Sequence, residues 1–168
     1  MSFARNNAQQ ISLTDITNNL TAREKKMLEK SWANDFAERI FPLINETRYS
    51  VIYSDKTASR PNTPVNVIIG ALVIKELHGL TDDEMVESMM FDIRFRHALH
   101  TTSCDEQPLS DKTLSRFRMR CYDYETATGT DLIHDTIKEL SGEMAKIMKI
   151  NSRLKRMDSL MVAANIRN

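Results

Sequence analysis

One segment in the middle of the chain has the spacing of a helix that is apolar on nearly every side. Residues 65–77 place Val, Ile, Leu and Ala around most of the helix circumference, and Gly79 follows them. A helix with so little polar surface must be enclosed by other elements, so we expect it at the centre of a core. Thr63 suits its N-cap and Pro64 its first helical position.

Start and stop signals predict further helices on both sides of this segment. Capping boxes begin at Thr21 and Thr81, Ser110 suits an N-cap, and Gly129 suits a helix end. The predicted helices span residues 21–40, 65–77, 81–90, 111–124 and 131–148. The second and third, joined by the Gly79 turn, resemble a helix-turn-helix pair. Between the helices we expect a loop with an extended piece at 49–53 and a polar connection at 97–108.

These patterns divide the 168 residues into three parts. Residues 1–20 are polar and predict a flexible, weakly ordered arm with one short helix or extended piece. Residues 21–150 predict one all-α domain, and residues 151–168 begin a β-strand. That strand contains Asp158, a residue type that strands disfavour, so it is either a turn residue or a group with a function.

Composition excludes several classes of protein. Lys and Arg total 23 and Asp and Glu total 23, which excludes a uniformly basic protein but permits local basic patches. The longest apolar run is too short to span a bilayer, and the first residues contain no signal-peptide core. Two separated cysteines are typical of reduced thiols, so we expect a cytoplasmic protein with no membrane partner.

The helix predicted over 111–124 is the best candidate for contact with a polyanion. Its basic side carries Lys112, Ser115, Arg116 and Arg120, while Arg118 flanks the opposite, apolar side. Arg and Lys on such a helix can reach phosphates or guanine edges. A basic face that merely contacts solvent gives the same pattern, so the spacing alone leaves both interpretations open.

Two other clusters are weaker candidates. Lys and Arg recur over residues 146–156, where they could follow a nucleic-acid backbone or simply complement the end of the last helix. His97, His100, Cys104 and Cys121 match no established zinc spacing, so we assign no metal to them.

Five segments, taken in order, resemble the amino-terminal part of bacterial insertion-sequence transposases of the DDE type. More narrowly, they resemble those with an InsH-type helical N-terminal domain. The segments are residues 60–65 (RPNTPV), 80–85 (LTDDEM), 91–100 (FDIRFRHALH), 108–118 (PLSDKTLSRFR) and 156–166 (RMDSLMVAANI).

The resemblance implies a mainly α fold: a helical transposase domain followed by the first β-strand of an incomplete RNase H-like domain. It implies that the helical part binds double-stranded DNA at the terminal repeats of the element. Asp158 matches the first catalytic carboxylate, which would be a ligand of Mg²⁺ or Mn²⁺ in a full-length relative. The other two carboxylates lie further downstream in relatives. We therefore expect a truncated transposase that binds DNA without cutting it and needs no cofactor.

Two alternatives stay open at this stage. The helices could form a protein-interaction or oligomerisation module without specific DNA binding, using the Met85, Met89 and Met90 face. A stand-alone helix-turn-helix repressor would need a dimer and a palindromic site. The sequence does not decide whether the protein is a homo-oligomer.

Overall fold

The computed structural model describes residues 2–6, 15–54, 62–103 and 109–147, and these are mainly helical. Within them there is no β-strand, only the isolated bridges Ser2–Ser54 and Asp15–Ser103. None of the helices in these ranges has the length and apolar character needed to cross a membrane. The helices are α1 (Ala22–Glu29), α2 (Trp32–Asp35), α3 (Val65–His78), α4 (Asp82–Phe91), α5 (Ile93–Ala98), α6 (Asp111–Thr128) and α7 (Leu132–Ile147).

Most predicted helix ends are confirmed by their caps. Thr21 and Thr81 each form a complete capping box, and the Ser110 side chain accepts from the Thr113 amide. Gly79 and Gly129 end α3 and α6 in the left-handed conformation, with φ of 66° and 76°, a backbone geometry that Gly adopts without steric cost. The start of α3 differs by one residue from the prediction, because its N-cap is Pro64 and no side chain caps it.

The single helix predicted over 21–40 is wrong. The chain leaves the α-helix after Glu29, and the Ser31 backbone N–H and side chain both bond to the Leu28 carbonyl. It resumes as α2, a π-helical turn at Phe36–Ile40 and a 3-10 turn at Phe41–Leu43. The break turns the buried face of Phe36–Ile40 towards α5 and α7.

One predicted extended piece and one segment without a predicted element are also helical. Residues predicted as an extended piece belong to a 3-10 helix, Glu46–Ile52, which Asn45 caps by accepting from the Thr47 amide. Helix α5 begins where the Asp92 side chain accepts from the Arg94 amide, and it overlaps the polar connection predicted at 97–108 only at residues 97 and 98. Both carry apolar residues into the core, namely Tyr49 and Phe95.

Helix α3 lies in the core, as its composition predicts. Its residues Val65, Ile68, Ile69 and Ile74 are buried, and α4, α6 and the 46–52 helix contact it. At Gly70 a Cβ atom would lie 2.6 Å from Leu99 Cδ2, so any larger residue requires the buried Leu99 side chain to shift.

Part of the predicted N-terminal arm contacts the helical domain. The Ala4 amide donates to the buried Asn62 side chain at 2.6 Å, and the Phe3 and Tyr53 rings lie 5.9 Å apart. A short 3-10 turn, Ile16–Asn19, follows Asp15. At the other end of the chain, the predicted strand, its residue Asp158 and the RNase H-like assignment lie outside the described residues, as does most of the second basic cluster.

Candidate nucleic-acid interface

Helix α6 is anchored to the core by one apolar side. Leu114, Phe117 and Cys121 are all buried there, and α3, α4, α7 and the 46–52 helix contact it. Burial raises the pKa of the Cys121 thiol to about 12, so this cysteine is an un-ionised core residue. The anchored side fixes which residues of α6 can face outward.

The outward side of α6 carries three of the predicted DNA-binding residues. Lys112, Ser115 and Arg116 are exposed, and the Ser115 hydroxyl donates to the Lys112 carbonyl at 3.3 Å. In the described part of the chain, neither Lys112 nor Arg116 takes part in a salt bridge. The exposure of both side chains is what makes them candidates for contact with a ligand.

The same side of α6 also holds residues that the sequence interpretation missed. Met119 and Tyr122 are each 51% exposed, and Asp123, seven residues after Arg116, lies on the cationic side two turns later. A helical projection over the whole predicted helix, residues 111–124, would have shown all three. The cationic surface is therefore confined to the first half of α6.

Arg120 lies against the ring of Tyr53. Its guanidinium carbon lies 5.2 Å from the centroid of the Tyr53 ring, a cation–π geometry. Burial raises the pKa of the Tyr53 hydroxyl, although the charge of Arg120 acts in the opposite direction. Arg120 is only partly exposed, so it is less accessible than Lys112 or Arg116.

Arg118 is engaged with α4. Its Nη1 donates to Asp82 Oδ1 at 3.1 Å, its Nη2 donates to Asp82 Oδ2, and Lys75 Nζ lies 3.4 Å from the same Oδ1. Burial alone would raise the pKa of Asp82, but the Arg118 hydrogen bonds and the two positive charges outweigh it and hold that pKa below its usual value. The structure therefore separates Arg118 from the outward-facing cations.

The two histidines near α5 have partners within the protein. His97 Nε2 lies 3.2 Å from Asn34 Oδ1, and His100 Nε2 lies 3.1 Å from the Ala37 carbonyl oxygen. The His100 ring also stacks on Phe41, with centroids 4.7 Å apart. Among the described residues no group of His, Cys, Asp and Glu has the arrangement of a metal site.

His97 makes the stability of the fold depend on pH. Burial and the neighbouring His100 lower its pKa below 6.5, while Asp15 and Glu38 act in the opposite direction. Because the unfolded chain then binds the proton more readily, protonation of His97 costs no stability well above pH 6.5 and lowers stability as the pH falls through that value. We expect His97→Gln to flatten this fall in urea titrations, whereas His134→Gln, at an exposed position, leaves it unchanged. An equal effect of the two variants would contradict the assignment.

A family model described as Transposase domain (DUF772) matches residues 26–120. Because the match covers more than half of the 168 residues, the chain belongs to this transposase-domain family. The matched region extends from α1 into α6 and includes Lys112, Ser115 and Arg116. No curated protein and no solved structure matches the chain.

Proposed function

We propose that this protein is the DNA-binding N-terminal part of an insertion-sequence transposase and that α6 contacts the DNA at the ends of its element. The observation that carries the proposal is the exposed pair Lys112 and Arg116 on the first half of α6. This pair lies inside the region that matches the transposase-domain family.

The arrangement of α6 suits a helix that contacts duplex DNA. Its apolar side is buried, so a ligand meets a rigid surface, and its cations project from consecutive turns. Cationic side chains that neutralise phosphates release bound counterions, which makes binding sensitive to salt. Because the whole chain has a formal net charge of zero, such a local surface must supply most of the attraction.

The catalytic part of the proposal depends on the resemblance alone. Asp158 corresponds to the first carboxylate of the DDE triad and would be a ligand of Mg²⁺ or Mn²⁺. It lies outside the described residues, so no geometry of this structure bears on its fit to a metal. The function that we propose for these residues is DNA binding.

Removing both exposed cations tests the proposal. We expect Lys112→Ala/Arg116→Ala to weaken binding to duplexes taken from the DNA on either side of the gene by roughly tenfold or more at physiological salt. The slope of log affinity against log salt should become shallower by about two, because two phosphate contacts are lost. Fluorescence anisotropy across a salt series measures both quantities.

The matched control is Arg23→Ala/Lys138→Ala, which removes the same charge from exposed positions on α1 and α7. If both double variants lose affinity equally, binding follows net charge and α6 has no special role. If the unaltered protein does not bind these duplexes, the DNA-binding proposal is wrong.

The second candidate is an interaction or oligomerisation module, and one observation favours it. Phe91, at the end of α4, is 83% exposed and Met90 beside it is 48% exposed. The methionine face that first suggested such a module is mostly core, however, because Met85 and Met89 are buried. We therefore place this candidate after DNA binding, and a folded protein that binds none of the duplexes would favour it.

A further inference from the structure

We propose that Asp82 and Arg118 position α6 for DNA binding, so that Arg118 is a positioning residue and not a DNA contact. This inference rests on the proposed function, because it concerns how the same helix is oriented towards its ligand.

The pair joins α6 to the first turn of α4 at a fixed point. Asp82 directly follows Thr81, whose capping box with Glu84 holds this turn. Arg118 donates to both carboxylate oxygens of Asp82. A guanidinium that donates two parallel hydrogen bonds to one carboxylate restricts orientation as well as distance. The pair therefore limits rotation of α6 about its own axis.

A third helix shares the same carboxylate. Lys75 of α3 lies 3.4 Å from Asp82 Oδ1, so α3, α4 and α6 meet at one charged group. Asp82 and Arg118 are both only partly exposed, with side chains 22% and 28% accessible. The restraint thus acts at the edge of the core and is less screened by solvent than a surface ion pair would be.

The position of the pair also fixes the side from which DNA can approach. At 3.6 residues per turn, Arg118 lies about 160° around α6 from Arg116 and about 120° from Lys112. The first turn of α4 contains Asp82, Asp83 and Glu84. Asp82 is paired with Arg118 and Lys75, so the exposed carboxylates of Asp83 and Glu84 are the charges that disfavour a phosphate between α4 and α6. A duplex therefore meets Lys112 and Arg116 from the side of α6 that faces away from α4.

The direction in which Asp82→Ala changes DNA affinity distinguishes this inference from phosphate attraction alone. Asp82→Ala removes a negative charge and releases Arg118, so phosphate attraction alone would strengthen DNA binding. If the pair positions α6, the same variant weakens binding by roughly three- to tenfold, because misoriented cations lose their contacts. Asp83→Ala is the matched control, since Asp83 is exposed in the same turn. We expect it to leave affinity unchanged or raise it slightly.

Arg118→Met completes the test, because it keeps the aliphatic stem and removes the guanidinium. Each affinity is measured by anisotropy on the duplexes described above and corrected for the folded, active fraction. If Arg118 is a positioning residue, Arg118→Met binds DNA more weakly but keeps the same slope of log affinity against log salt. Combining Arg118→Met with Asp82→Ala then causes no further loss of affinity. A slope shallower by about one would identify Arg118 as a phosphate contact and overturn the inference. Stronger binding by Asp82→Ala would also overturn it, whereas no binding by the unaltered protein would overturn the proposed function itself.

Discussion

Replacing Gly70 with Leu is expected to destabilise the fold by about 3 kcal/mol, because the core has no room for the added side chain. A Cβ atom at this position already lies 2.6 Å from Leu99 Cδ2 and 3.4 Å from Phe41 Cδ2. Leu99 is fully buried and Phe41 nearly so, so neither can move aside without displacing other core residues. Urea unfolding followed by circular dichroism measures this loss. The urea midpoint should fall, while the dependence of the free energy of unfolding on urea concentration stays the same.

Gly142 supplies the matched control for this prediction. It also lies within a helix, α7, but a Cβ atom there would have no neighbour within 4 Å. Gly142→Ala should therefore stabilise the protein by up to about 1 kcal/mol through helix propensity. A smaller change at the first site, Gly70→Ala, should cost less in a Leu99→Ala background than alone, because the contacting atom is gone. Additive effects would show that the Leu99 contact is not the cause.

The helices that the sequence predicts well are those whose ends are set by local signals. The Thr81 capping box and the left-handed Gly79 and Gly129 are decided by residues within one turn of each helix end. The central position of α3 follows equally directly from its composition. These features need no knowledge of what the helix packs against, so a single sequence is sufficient to predict them.

The errors occur where distant residues decide the local structure. Tyr49, Val51 and Tyr53 favour an extended strand by propensity, yet residues 46–52 form a 3-10 helix because Tyr49 packs against Phe117 and bonds to α7. The helix break at Ser31 likewise lets Phe36–Ile40 pack against α5 and α7. Tertiary packing outweighs propensity in both places.

At the candidate interface, too, the sequence predicts what local spacing decides and misses what distant residues decide. The exposure of Lys112 and Arg116 follows from the helical projection of α6 alone. The partners of Arg118 and Arg120 do not, since Asp82 and Tyr53 are distant in the sequence and no spacing rule relates them to α6. The sequence places Arg118 beside the apolar side without giving it a partner, and it groups Arg120 with Lys112 and Arg116. The structure distinguishes two exposed residues from two that contact other parts of the fold.

The buried Tyr49 is the second position where a substitution should have a large effect. We expect Tyr49→Ala to destabilise the fold by about 4 kcal/mol, because it leaves a cavity where a wholly buried ring packed. The ring lies 5.3 Å from that of Phe117, and its hydroxyl lies 3.0 Å from the Leu132 carbonyl and 2.8 Å from Thr136 Oγ1. The variant therefore removes contacts of the 46–52 helix with both α6 and α7.

Tyr49→Phe divides this effect into its parts. It keeps the ring and removes only the hydroxyl, while Thr136 Oγ1 still donates to the Leu132 carbonyl at 2.9 Å and still accepts from Arg48 Nη1. No buried polar group loses its last partner, so the cost should be about 1 kcal/mol. Urea unfolding of the two variants gives both values. If Tyr49→Phe proved as costly as Tyr49→Ala, the hydroxyl and not the packed ring would be what holds the 46–52 helix against α7.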